Sequence, residues 1–380
     1  MKTSLLKLAT GAAVGVLMAL AVAPAFAAGP QTVAGPSQDP DCFKPQAADT
    51  KFFQYPAKPG PYRIALVNGF VGNTWRIQMV KTAKAFAEQP GIKENIKEFK
   101  VVSTGTDVAA QLGAMEDFIN QGVQAIVTIA VAPDGFDRII RLADKNNVVV
   151  VPFDNILDTD KVMMVNEDQK EMGRMSARWI MEQSGKKSGD ILEVRGLPGN
   201  SVDRDRHVGF REVMEAAPNK FNITEVVGNW DTGTSQKVTA DALAVHGHFD
   251  GVFTQGGSDG TVQAMMDAKH PFVAMSGEGE NEYRKQIADH SKDGLKGMSY
   301  GQSPALVAIA IKAAISALQG NVMPQLISIP IPVATYKDLK AGENYWPDLK
   351  ANFFADNQFK PCGVDFTAPQ IMAQSEKNTQ

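Results

Sequence analysis

The chain has 380 residues, 44% of them hydrophobic, with 38 basic against 42 acidic side chains and a formal net charge of −4. That length and apolar content support a large buried core and suggest two domains. The mild acidity, with no basic stripe carrying interleaved aromatics, argues against a nucleic-acid partner.

In chain order, residues 1–27 have the grammar of a secretory signal peptide. Lys2 and Lys7 supply a charged start, residues 8–22 are apolar, and Ala25-Phe26-Ala27 is a small-x-small processing signal with cleavage expected after Ala27. Removing Lys2 and Lys7 with it takes the basic count from 38 to 36 and the net charge from −4 to −6. No later segment approaches the roughly 18 to 20 apolar residues that span a bilayer. Residues 28–61 read as an N-terminal extension, because Pro30, Pro36, Pro40, Pro45, Pro56, Pro59 and Pro61 disfavour helices and central strands. The two cysteines, Cys42 and Cys362, lie near opposite ends of an exported chain, where a disulfide is permitted. On the chain-entropy account, a loop of that size contributes about 4 to 5 kcal/mol. Two cysteines do not make a zinc site, and His246-Gly247-His248 reads as a loop, so no metal is expected.

The segment YRIALVNGFVGNTWRIQMV, residues 62–80, is the unit around which the remaining chain is organised. Residues 64–67 form an apolar strand run. Asn73 or Thr74 is placed to cap a helix whose apolar members are Ile77, Val80, Ala83 and Phe86. Asn73 and Trp75 thus stand at a strand's carboxyl end, where open α/β sheets bind ligands. The plain alternative makes Asn73 only a cap and Trp75 only core. Strands are then expected at 99–103, 125–130 and 148–153, with helices at 107–121 and 133–146, the last strand ending on Asp154. Such β–α alternation predicts a parallel sheet covered by helices.

A second series repeats that grammar. Strands are expected at 162–165, 190–194, 222–227, 251–254 and 272–275. Helices are expected at 169–184, from about Ser201, at 234–244 and at 260–268. A long apolar helix at 304–318 follows Gln302, and a closing strand at 326–333 contains Pro330 and Pro332, which suit an edge or a crossing.

Candidate site residues recur at successive strand ends. Arg206 shares a helix face with Phe210, Val213 and Met214, so its guanidinium faces the core. Such an arginine is paired, either with Asp203 or Glu278 structurally or with a ligand diol or carboxylate. Trp230 is a second aromatic in an equivalent loop. The run Gly256-Gly257-Ser258-Asp259-Gly260 admits close backbone approach before a helix. Glu278 stands just past a further strand end, and Gln302 at a crossing.

RIALVNGFVGNTWRIQM, VVVPFDN, GLPGNSVDRDRHVGF, GVFTQGGSDGTVQAM and Gln302-Ser303-Pro304 together resemble the ribose-binding-protein type of periplasmic solute receptor of ABC transporters (periplasmic binding protein type I), across residues 60–335. The resemblance implies two similar doubly wound α/β lobes with parallel sheets, joined by three hinge strands and closing on a sugar. The expected division is 62–166 with 303–332 for one lobe, 167–302 with 333–345 for the other, and 346–380 as a C-terminal tail. It places ligand contacts on Gly69, Asn73, Trp75, Asp154, Arg206, Trp230, Gly257 or Ser258, Glu278 and Gln302. Several positions depart from the ribose receptor: Gly69 replaces a polar residue, Trp75-Arg76 a phenylalanine pair, Glu278 an aspartate, and an asparagine is absent from the glycine-rich loop.

The residue chemistry agrees with a sugar. Tryptophans take apolar C–H faces, Asp154 and Glu278 accept from hydroxyls, Arg206 donates, and Asn73 and Gln302 do both. The implied protein is a periplasmic, monomeric receptor without cofactor, serving a membrane permease, whose ligand is a neutral sugar or polyol. Weighed against it are a glycoside hydrolase using Asp154 and Glu278, a receptor for a signalling partner, a sugar-responsive repressor core, and a dinucleotide enzyme. The repressor would need a helix-turn-helix, and the dinucleotide enzyme the missing G-x-G-x-x-G.

Overall fold

The computed structural model describes Met1 and residues 29–379 apart from 71, 217, 219 and 350–352; the expected signal peptide falls outside the described residues. The extension carries β1 (Gln31–Val33) and β2 (Phe52–Gln54). The first lobe then runs β3 (Tyr62–Asn68), α1 (Thr74–Ala87), β4 (Ile96–Ser103), α2 (Val108–Asn120), β5 (Ala125–Ile129), α3 (Asp137–Lys145), β6 (Val149–Pro152) and β7 (Met164–Glu167). The second comprises α4 (Gln169–Ser184), β8 (Ser188–Arg195), α5 (Ser201–Met214), β9 (Lys220–Val227), α6 (Thr232–His246), β10 (Gly251–Thr254), α7 (Ser258–Asp267), β11 (Ala274–Gly277), α8 (Asn281–His290) and β12 (Lys296–Tyr300). The chain returns to the first lobe through α9 (Leu306–Leu318), β13 (Val322–Pro324) and β14 (Leu326–Ile329), and to the second through β15 (Val333–Thr335). The tail holds β16 (Gln358–Phe359), β17 (Val364–Asp365) and α10 (Ala368–Met372).

Two sheets result. The first has order β4-β3-β5-β6, all parallel, and a single bridge from Phe153 to Val165 connects it to the parallel pair β7–β14. The second has order β15-β12-β11-β10-β8-β9, parallel except for β15. Each is the doubly wound arrangement that the β–α alternation predicts, because apolar strands need helices on both faces.

Helix α9 has 12 buried residues among its 13 and is packed into the first lobe's core. Truncating Ile309 there to alanine is worth about 2–5 kcal/mol. Cys42, Phe43, Phe53 and Tyr55 of the extension and Phe354, Phe359 and Cys362 of the tail join the same core. The extension therefore adds walls to a lobe, and β2 pairs with β1 and β13 in a small antiparallel sheet. That sheet avoids the prolines, except for Pro324 at the end of β13. Cys42 and Cys362 are disulfide-bonded, with Cα atoms 4.7 Å apart.

Several elements differ from their sequence expectation. The closing strand is two strands: residues 330–332 interrupt the pairing, so β14 belongs to the first lobe and β15 to the second. Prolines at 330 and 332 lack the N–H groups a continuous ladder would use. Strands β7 and β11 begin two residues later than the apolar runs suggest, because pairing with β14 and β12 sets their register. Helix α3 starts at Asp137, four residues after Pro133. Helix α8 and strand β12 have no sequence counterpart. NEYRKQIADH is mostly polar, and KGMSY carries a glycine and a serine, so tertiary packing alone defines them.

Candidate functional site

Between the carboxyl ends of the two sheets lies a cavity of about 190 Å³, far more than the roughly 10–15 Å³ that one water requires. That is room for a small solute. Asn73, Trp75, Asp154, Trp230, Glu278 and Gln302 line it, so residues from separate strand ends and a crossing between the lobes meet there.

On the first lobe, Asn73 is the N-cap of α1, its side chain accepting from the Arg76 backbone N–H at 3.0 Å. The capping role and the lining role coexist. Capping holds the first turn so that Trp75 is nearly buried, with its indole N–H donating to the Gln302 carbonyl at 2.8 Å. Arg76, the next residue, is buried and donates to Asn68 Oδ1 at 2.9 Å. Asp154 is buried, and its Oδ1 has no hydrogen-bond partner. Burial pushes its carboxyl up to about 6, although Arg76 and Arg206 pull the other way.

On the second lobe, α5 carries Arg206 tight against α4. A Cβ on Gly173 would lie 2.0 Å from the Arg206 carbonyl oxygen, and one on Gly209 would lie 2.0 Å from that of Lys170. Only glycine at both positions lets the two helices approach so closely. Arg206 is fully buried and donates to Gln169 Oε1 at 2.8 Å, to the Gln255 carbonyl at 2.7 Å and to Glu278 Oε1 at 2.6 Å. Its Nη2 has no partner. Burial works against the Arg206 charge, but Tyr300, Glu278 and Asp154 outweigh it and hold the guanidinium above its ordinary range. Of the expected pairings of Arg206, the structural one with Glu278 is present, and one nitrogen stays free. Asp203, the other suggested partner, bonds Arg195 instead. Arg206 itself stands behind Glu278 and is not among the lining residues.

Glu278 is buried, which raises its carboxyl to about 7 despite Arg206. Glu280 also lines the cavity and accepts from the backbone N–H groups of Gly257 and Ser258 at the start of α7. Burial first, then the nearby charges of Asp259 and Glu278, push it to about 8. The indole of Trp230 packs over Gly196, where a Cβ would come within 2.2 Å of the ring, and its N–H has no partner.

Gln302 joins the lobes. Its backbone N–H donates to Glu167 at 3.1 Å, its carbonyl accepts from Trp75, and its Oε1 accepts from Gln169 at 3.0 Å. A continuous hydrogen-bonded chain runs from Trp75 through Gln302, Gln169 and Arg206 to Glu278. Asp154, Trp230 and Gln302 have φ of +59°, +56° and +78°. Non-glycine residues avoid that region, and such strain gathers at functional sites.

Besides Arg206, both Ser258 and Gly69, named from sequence, lie outside the cavity. Ser258 is behind it: its hydroxyl accepts from the Glu278 N–H at 3.1 Å and so holds the Glu278 backbone. Gly69 sits where a Cβ would come within 2.3 Å of Val131, and its carbonyl accepts from Gly105. Lining residues that the sequence reading missed include Arg76, Asn155, Asp231, Thr232, Glu280 and Phe354. Arg76 and Glu280 adjoin recognised motifs and were within reach. Phe354 lies in the distant tail, and no local pattern marks it.

The profile of the periplasmic binding protein domain matches residues 64–321. The ribose import binding protein of Bacillus subtilis is 25% identical over 281 residues, 73% of this chain and 88% of its own length. The xylitol-binding protein of Mycolicibacterium smegmatis is 24% identical over 55% of this chain and 58% of its own. Among solved structures, the periplasmic component of an arabinose ABC transporter from Shewanella sp. ANA-3, bound to L-arabinofuranose, superposes with a TM-score of 0.64 at 25% identity, covering 72% of this chain and 92% of that one. These relatives are binding proteins and not enzymes. With two α/β lobes, a cleft at their strand ends and a match across most of its length, the chain belongs to the periplasmic binding protein family.

Proposed function

We propose that the protein is the receptor of an ABC importer and takes one neutral sugar or polyol per chain in the cleft. One observation carries this reading: Asp154 Oδ1 and Trp230 Nε1 of two lining residues, and Arg206 Nη2 behind Glu278, are buried polar atoms with no hydrogen-bond partner. Buried polar atoms are rarely left so. One acceptor and two donors beside two indoles match a ring of hydroxyls on an apolar C–H frame. The charge balance favours a neutral solute, since Asp154, Glu278 and Glu280 line the cleft with Arg76, and Arg206 pairs with Glu278 from behind. Relatives named for ribose and xylitol, and a structural neighbour holding arabinofuranose, are consistent with it.

The ligand contacts are Asn73, Trp75, Asp154, Trp230, Glu278 and Gln302, with Arg206 and Ser258 acting through Glu278. The lobes, divided as the sequence suggests at Glu167, Gln302 and residues 330–333, close on the solute, and the permease reads the closed pair of surfaces. Export accompanies cleavage after Ala27, and the mature protein is a periplasmic monomer. No helix among the described residues is long and apolar enough to cross a membrane.

A thermal-shift screen of the mature protein against aldoses, ketoses and polyols tests this, since a ligand that binds only the native state raises Tm. A rise with a neutral sugar, together with a smaller radius of gyration at saturation, is the expected result. Binding only of anions, or release of aglycone from a bound glycoside, overturns it.

A further inference from the structure

Residues 353–362 lie beyond the span that the family profile matches. After β15 the chain is held to the second lobe: the Trp346 N–H donates to Asn281 Oδ1 at 2.7 Å, and its carbonyl accepts from Asn281 Nδ2 at 2.8 Å. By Cys362 it is bonded to Cys42 in the first lobe's core. In between, successive residues direct their backbone bonds to opposite lobes. The Phe353 carbonyl accepts from the Asn281 N–H at 2.7 Å, and the Ala355 N–H donates to Gly279 at 2.9 Å, both second-lobe partners. Phe354 is bracketed by one first-lobe side chain: its N–H donates to Gln78 Oε1 at 2.9 Å and its carbonyl accepts from Gln78 Nε2 at 3.1 Å. Asp356 then pairs with Arg284 of the second lobe, and its carbonyl accepts from Ser303 beside the crossing at Gln302. Phe354 is 5% exposed and lines the same cavity as Trp75 and Trp230.

We propose that residues 353–357 are a fourth connection between the lobes that completes the ligand site. Phe354 is a specificity-determining wall against the apolar face of the bound solute, and the Cys42–Cys362 bond keeps that wall on the first lobe. This deepens the sugar-receptor reading and rests on it for the nature of the solute. Because the bonds alternate between lobes, the lobes cannot separate without breaking one set. The disulfide and the Gln78 clamp belong to the first lobe, so the contacts to Gly279, Asn281 and Arg284 are the set that parts. Ligand contact with Phe354 and closure of the second lobe on the strap then favour the same state.

The test uses the oxidised mature chain and a panel of D-ribose, D-allose, L-arabinose, D-galactose, xylitol and myo-inositol, read by calorimetry. Phe354→Ala weakens the tightest-binding member about tenfold or more through the lost aromatic face and changes the order of affinities, whereas Phe354→Tyr keeps both. Phe354→Leu serves if the alanine variant does not fold. Unchanged affinities, or a uniform loss across the panel, overturn the wall. In a Cys42→Ser, Cys362→Ser double variant without ligand, the strap can follow the second lobe, so the Phe354 amide bonded to Gln78 exchanges hydrogen faster than in the oxidised parent. Equal exchange overturns the tether. If no panel member binds the parent protein, the sugar reading fails by itself, and the exchange measurement still decides the strap.

Discussion

On the first lobe, the polar groups of the cleft rest on backbone and local caps; on the second, they are bonded to one another. Asn73 caps α1, Arg76 is held by Asn68, and Asp154 is left with a free oxygen in a strained backbone conformation. Arg206 instead spends its donors on Gln169, Gln255 and Glu278 and keeps one nitrogen free. A network in which nearly every member is satisfied is stiff, and removing one member leaves the others buried and unpaired. A single unpartnered carboxyl has little fold to hold together. The second lobe's wall is therefore built into the folded state, while Asp154 keeps an unpartnered oxygen at the cleft.

Breaking the stiffer wall has the largest expected effect. Arg206→Ala leaves Glu278 as an uncompensated buried carboxylate and destabilises the ligand-free protein by about 3–5 kcal/mol in chemical denaturation. A cost below about 1 kcal/mol would mean that the pair is incidental. The contrasting change is Asp154→Asn, which keeps a residue tolerant of positive φ. It removes a charged acceptor and weakens sugar binding by about 2 kcal/mol in calorimetry. Ligand-free stability at pH 8 stays level or rises, because the folded state holds the Asp154 carboxyl at about 6, above its ordinary value. If both variants lose stability equally, the difference between the walls disappears.

Titration sharpens the same comparison. Asp154, Glu278 and Glu280 have raised carboxyls, at about 6, 7 and 8. A carboxyl that binds its proton more tightly in the folded state contributes stability fully below the ordinary carboxylate range and loses it as pH rises through the raised value. The ligand-free Tm therefore falls from pH 5 to pH 8, and Glu280→Gln flattens the upper part of that fall. A Tm that climbs over this interval contradicts the assignment. Affinity runs the other way: protonating Asp154 below about pH 6 removes an acceptor, so binding weakens toward pH 5.

The smallest effect is expected where the lobes touch in solvent. Arg204 of α5 donates to Asp158 of the first lobe at 2.8 and 3.1 Å, with both side chains about half exposed. Exposed pairs are worth about 0–1 kcal/mol. Arg204→Ala should leave denaturation midpoints nearly unchanged, and any consequence should show as a larger radius of gyration without ligand.

The sequence by itself determined the class of fold, the order of most elements and most of the site. Apolar β-branched runs alternating with amphipathic stretches leave a parallel sheet as the economical way to bury them, and polar or aromatic residues just past those runs must sit at its carboxyl edge. Asn73, Trp75, Asp154, Trp230 and Glu278 were legible for that reason, Gln302 by its place at a crossing, and the disulfide because the exported chain has only two cysteines. Tertiary structure alone decided the rest. Ser258 and Glu278 are both strand-end residues, and only packing puts one behind the other. Helix α8 and strand β12 have too few apolar residues to announce themselves and exist because their neighbours cover them. Phe354 reaches the cleft from the far end of the chain through bonds to Gln78, Gly279 and Asn281, contacts between positions so distant in sequence that no local period can encode them.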